Sequence, residues 1–155
     1  FDWDVKINND LLVAITRKAK KAIVWGGNFY DLPACGGWLV WDKLNSGNFA
    51  DCELAWTNAK TSVRIFRFLW NGMIRAGEAR GVKRVHPAQK PVELMSWCIG
   101  FAPPYANKIL DPYMGSGTTL RAAKKLFYKA IVVEREEKYF EIAVKRLQHE
   151  VFDFK

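Results

Sequence analysis

The residues with the clearest chemical capacity are two carboxylates that bracket a glycine-rich loop. Asp111 ends the run Lys108–Asp111 and is followed by Pro112, Tyr113, Met114, Gly115, Ser116, Gly117, Thr118 and Thr119. Glu134 ends a second apolar run, Ala130–Val133, about 20 residues beyond the loop. Gly115 and Gly117 permit a sharp turn and let the backbone approach a ligand with no side chain between. An acid at that distance past such a loop is where the ribose hydroxyls of a bound nucleoside are held. An acid directly before the loop would repel a pyrophosphate and attract a cationic amino-acid moiety. The third glycine of a dinucleotide loop is missing, with Leu120 in its place, and no G-x-x-x-x-G-K-[ST] segment occurs. The ligand that suits these residues is an adenosyl group carrying an ammonium and a sulfonium, which describes S-adenosylmethionine. A plain βα turn is the competing reading, and the paired acids disfavour it.

The flanking pattern provides elements to hold this constellation. Lys108–Asp111 reads as a strand, Thr118–Leu126 as a helix that Thr118 or Thr119 can cap, Ala130–Val133 as a second strand, and Glu136–Glu150 as a closing helix. That succession, β–glycine loop–α–β–acid–α, is the parallel unit of an α/β sheet. Upstream, Pro91 opens the helix VELMSWCIGFA, at the position where its missing N–H costs least. Near the start, Asn8, Asn9 and Asp10 can cap a helix through Leu11, Leu12, Ile15 and Ala19 whose RKAKK end suits the helix dipole. Ala22–Trp25, Trp38–Trp41, CELAWT and SVRIFRFLW read as strands, the first two as neighbours in a buried sheet. Residues 71–85 are rich in glycine and cations and read as a mobile basic loop.

The 155 residues suffice for one hydrophobic core, and a chain half hydrophobic with seven Trp is a folded one. Its net charge of +8 favours a polyanionic partner. Cys35, Cys52 and Cys98 are far apart and odd in number, so neither a metal site nor a disulfide framework is expected, and the thiols suit a reducing compartment. No stretch is long and apolar enough to suggest a membrane segment, and a cytoplasmic location is expected.

Three segments together resemble the β class of amino-directed DNA methyltransferases, of small phage or bacterial type. DPYMGSGTT is similar to that family's D-P-F-x-G-S-G-T-T cofactor motif, with Tyr113 for Phe. His86-Pro-Ala-Gln-Lys-Pro91 is similar to its H-P-T-Q-K-P segment, with Ala88 for Thr. VVEREEKYFEIAVKRL resembles its second cofactor motif, and IVWGGNFY, GWLVWDK and DCELAWT also look like parts of small members. The resemblance covers most of the chain.

It implies a Rossmann-like, S-adenosylmethionine-dependent sheet, mostly parallel, with helices on both faces and its amino-terminal part missing. The whole chain would be one methyltransferase domain, with base-side strands over 1–70, the basic loop over 71–85 and a cofactor-binding subregion over 86–155. His86, Gln89, Lys90, Asp111, Pro112, Tyr113, Gly115, Ser116, Gly117, Thr118 and Glu134 would bind the cofactor. Lys90 reads equally as a solvated lysine at a helix start. Trp25 and Asn28 would border the target-base pocket, although Trp25 suits a core equally well. Arg75, Arg80, Lys83 and Arg84 would contact phosphates of double-stranded DNA holding a flipped base. The family's catalytic motif, [DNS]-P-P-[YFW], is expected upstream of Phe1, since Ala102-Pro-Pro-Tyr105 lacks the polar residue and stands out of order. A second copy or a complementing amino-terminal segment would be the protein partner. A remnant that binds cofactor or DNA without catalysis is the alternative function.

Overall fold

The computed structural model describes residues 7–45, 50–70, 76, 85–86 and 88–148. It divides into two compact units, Phe1–Ile74 and Arg75–Lys155. No helix among the described residues is long and apolar enough to cross a membrane.

The first unit opens with α1 (Asn9–Lys18), whose start follows from its cap: Asn8 Oδ1 accepts the Leu11 amide at 3.0 Å. Leu12 and Thr16 face inward, and Arg17 and Lys18 occupy the last turn. Four strands follow: β1 (Ile23–Trp25), β2 (Trp38–Asp42), β3 (Cys52–Thr57) and β4 (Arg64–Arg67). Their order across the sheet is β1-β3-β2-β4, with β3 antiparallel to both neighbours and β4 parallel to β2. The expected pairing of the first two strand runs is therefore corrected, because β3 lies between them. β3 pairs antiparallel with β2 from Trp38↔Trp56 to Asp42↔Cys52 and with β1 along its other edge, which gives it the place between them.

Register explains the core of this unit. Leu39 faces Ala55, Ala55 faces Trp25, and Trp41 and Thr57 lie two residues along their strands from that row. Alternation puts them on one face, where Leu39, Trp41, Ala55 and Thr57 are all but fully buried. Buried indoles need partners: Trp41 Nε1 donates to Phe68 O at 3.1 Å, and Trp56 Nε1 to Pro33 O at 2.7 Å.

The second unit contains α2 (Val92–Ile99), β5 (Lys108–Asp111), α3 (Thr118–Lys125), β6 (Lys129–Val132) and α4 (Glu137–Gln148). β5 and β6 pair in parallel from Lys108↔Lys129 to Asp111↔Val132, so the β–loop–α–β reading holds. Two end details differ from expectation. Pro91 is the extended residue before α2 rather than its first helical residue. Gly117 occupies the cap position of α3 in a left-handed conformation with no side-chain cap, while Thr118 lies inside the helix and is buried. Thr118 does not cap because it is already the first helical residue, one position past the cap.

Candidate cofactor site

The site is built where β5 and β6 end side by side. Asp111 is the last residue of β5, and its Oδ1 accepts the Tyr113 amide at 3.0 Å, which turns the chain into the loop. The loop is stitched to the next strand as Met114 N donates to Val133 O at 3.0 Å and Val133 N to Asp111 O at 2.9 Å. Gly115 and Gly117 both take positive φ, 55° and 80°, a region that glycine enters without steric cost. Tyr113 is half exposed at the mouth, and Ser116 is buried.

Glu134 stands two residues beyond β6. Its Oε2 accepts the Gly115 amide at 2.7 Å and its Oε1 the Glu136 amide at 2.9 Å. Each carboxylate oxygen can accept more than one hydrogen bond, so both keep acceptor capacity after these contacts. Asp111 and Glu134 thus occupy the same end of the strand pair with the glycine loop between them.

The segment before α2 reaches the same place. The His86 imidazole packs edge-on against the Tyr139 ring with centroids 4.3 Å apart, and its Nδ1 accepts the Ala88 amide at 3.1 Å. It lies so close to the loop that a β-carbon on Gly115 would sit 3.5 Å from the ring. Gln89 is buried and holds the segment in shape, its Oε1 accepting the Val85 amide at 3.3 Å. Lys90 is half-buried beside the fully buried Pro91. The structure therefore brings His86, Asp111, Gly115, Ser116, Gly117 and Glu134 together around one loop. Pro103–Tyr105 precede the opposite end of β5 from Asp111.

One residue here was not anticipated. Arg146 Nη1 donates to the Ser116 carbonyl at 2.7 Å and to its hydroxyl at 3.0 Å. Ala143, on the same helix, touches Gly117 so closely that a β-carbon there would lie 2.7 Å from its own. Tyr139, Ala143 and Arg146 stand at the i, i+4, i+7 spacing of one helix face, a pattern visible in the sequence and easily taken for a core stripe.

The base-side candidates belong to the first unit. Trp25 ends β1, half-buried, with its ring edge-on to Trp41 at 6.4 Å and its Nε1 buried with no hydrogen-bond partner among the described residues. Asn28 is exposed in the 3-10 turn Gly27–Phe29. Arg75, Arg80, Lys83 and Arg84 lie outside the described residues.

A parallel β–loop–α–β unit with an acid at each strand end is what a nucleoside-binding α/β protein requires. A family described as DNA methylase, of the N6/N4 type, matches residues 15–145, and the chain belongs to that family. Among its relatives are the type II methyltransferase M.HinfI of Haemophilus influenzae, 39% identical over 80 residues, and M2.DpnII of Streptococcus pneumoniae, 43% identical over 65. These matches cover 52% and 42% of the chain but only 22% and 24% of the relatives, so the chain spans about a quarter or less of their lengths. The solved M1.HpyAVI–SAM complex shares 32% identity over 70% of this chain and 60% of its own, with a TM-score of 0.49.

Proposed function

We propose that the chain forms the cofactor half of an enzyme that transfers a methyl group from S-adenosylmethionine to an exocyclic amino group of a DNA base. Adenine N6 is favoured over cytosine N4 as the target. The observation that carries this reading is the glycine loop held between Asp111 and Glu134 at the paired ends of β5 and β6.

The donor set fits the cofactor. Glu134 would accept the ribose hydroxyls with the lone pairs left over from its two backbone contacts. Asp111 would sit near the methionine ammonium, and Tyr113 would lie against the adenosyl group. Pro112, Gly115, Ser116, Gly117 and Thr118 would shape the backbone surface, while His86, Gln89 and Lys90 form the methionine end. When bound, S-adenosylmethionine supplies an electrophilic methyl group. The protein's task is to hold donor and base in line, and such positioning accounts for much of the rate in transfers of this type. Trp25 and Asn28 would border the flipped base, and Arg75, Arg80, Lys83 and Arg84 would hold the duplex by its phosphates.

No [DNS]-P-P-[YFW] segment occurs within the 155 residues. The base-activating group is therefore proposed to come from a complementing segment, and a cytoplasmic location is proposed with it. The same observation favours a second reading, a module that binds cofactor or DNA without catalysis.

Calorimetry with S-adenosylmethionine and NAD tests the cofactor assignment. Glu134→Ala is expected to weaken S-adenosylmethionine binding by about 1–3 kcal/mol, the worth of charge-assisted hydrogen bonds. Binding of NAD alone, or unchanged affinity in the variant, refutes it. Transfer of labelled methyl to DNA, with and without an added catalytic segment, separates enzyme from module, and digestion of the product to nucleosides identifies the methylated base.

A further inference from the structure

Away from the cofactor site, cations gather at one corner of the first unit. α1 ends in Arg17 and Lys18, Lys20 and Lys21 follow before β1, and all four are exposed. Asn58, just past β3, ties this segment down: its Oδ1 accepts the Ala22 amide at 2.8 Å, and its Nδ2 donates to Ala19 O at 3.4 Å. Exposed Lys60 stands two residues further on. Two separate connections thus bring five cations to one corner, and neither 17–22 nor 58–62 contains a carboxylate. The corner borders a groove of about 590 Å³ lined by Arg17, Asn58, Lys60, Thr61 and Ser62 among others, with no acidic residue in its wall.

The helix dipole explains Arg17 and Lys18, which lie in the last turn of α1. It does not explain Lys20 and Lys21, which lie beyond the helix, or Lys60 on another connection. Nor does ion pairing explain Lys21 or Lys60, since these two, like Arg17 and Lys18, form none among the described residues. Like charges held together repel one another, and a polyanion relieves that repulsion while releasing its own counterions. Hydroxyls and an amide beside the cations are the neutral donors that phosphate oxygens also accept. Ala22 precedes β1 and Gly26 follows it, so this corner and the turn bearing Asn28 lie at opposite ends of that strand.

We propose that this corner is a second phosphate-contact surface, which docks a stretch of nucleic-acid backbone distinct from the one presenting the flipped base. The choice of duplex DNA as the polyanion rests on the methyltransferase reading above.

The test compares two variants that each remove three positive charges. Lys18→Ala/Lys21→Ala/Lys60→Ala strips the corner, and Lys125→Ala/Lys129→Ala/Lys145→Ala strips exposed positions of the second unit. Binding of a labelled duplex is followed by fluorescence anisotropy across a salt series, with thermal melting as a check on folding. The corner variant should bind about tenfold or more weakly at low salt, with a log–log salt slope shallower by about 2.7 for three lost contacts. The control should keep the original slope. Equal losses in both variants, or none in the corner variant, overturn the proposal. Calorimetry with S-adenosylmethionine on the same proteins separates the two readings. Cofactor binding without the corner effect sinks this surface alone, whereas the corner effect without cofactor binding sinks the methyltransferase reading and leaves the surface standing.

Discussion

Both units bury a large aliphatic completely, Leu39 in the first and Leu94 in the second, but they differ in what packs beside it. In the first, the most buried residues include Leu39, Trp41 and Trp56, broad side chains that fill space between strands and neighbouring loops. In the second they include Ala122, Ala123 and Ala143, which let helices and loop approach almost backbone to backbone. The contrast follows from what each unit must present. A cofactor loop offers its own amides and turns, so its neighbours must be small enough to reach it. The sheet of the first unit presents side chains, so its frame is well filled.

If that contrast is right, adding bulk should harm the second unit most. Gly117→Val should cost about 3–6 kcal/mol, combining left-handed strain with overpacking against Ala143. Denaturant unfolding measures it, and adding Ala143→Gly should restore only the packing part. Full recovery in the double variant would mean that the backbone conformation carries no cost. Next in size, Arg146→Met should weaken S-adenosylmethionine binding by about 1–3 kcal/mol through loss of two charge-assisted bonds to Ser116. Arg146→Lys, which restores one donor without the fork, should recover part of that loss, and equal affinities for wild type and Met would remove Arg146 from the site. The smallest effect should come from the large-residue unit. Trp56→Phe should cost about 1–2 kcal/mol of stability, from the lost bond to Pro33 and modest loss of volume, and leave cofactor affinity unchanged. A shift in cofactor binding would show that the units are not functionally separate in this respect.

How much of this was legible beforehand depends on the range of the interaction. The cap at Asn8, the strand Cys52–Thr57 and the βαβ order around Asp111 and Glu134 are set by local pattern and were readable. The placement of β3 between β1 and β2 was not, because strand order depends on long-range pairing that no local period records. The capping of α3 was misjudged for a related reason. Thr118 has the chemistry of a cap, but tertiary packing gives that position to Gly117. Arg146 escaped notice because a cation near a helix end ordinarily needs no explanation beyond solvent and dipole.

The clamps on the glycine loop have an energetic consequence for any ligand it receives. With Gly115 held by Glu134, Ser116 by Arg146 and Gly117 wedged against Ala143, the loop takes its shape as the chain folds. The entropy of ordering it is then lost before the ligand arrives, leaving more of the contact energy to appear as affinity. Preorganisation of this kind should show itself as loop amides that exchange slowly with deuterium even when no ligand is present.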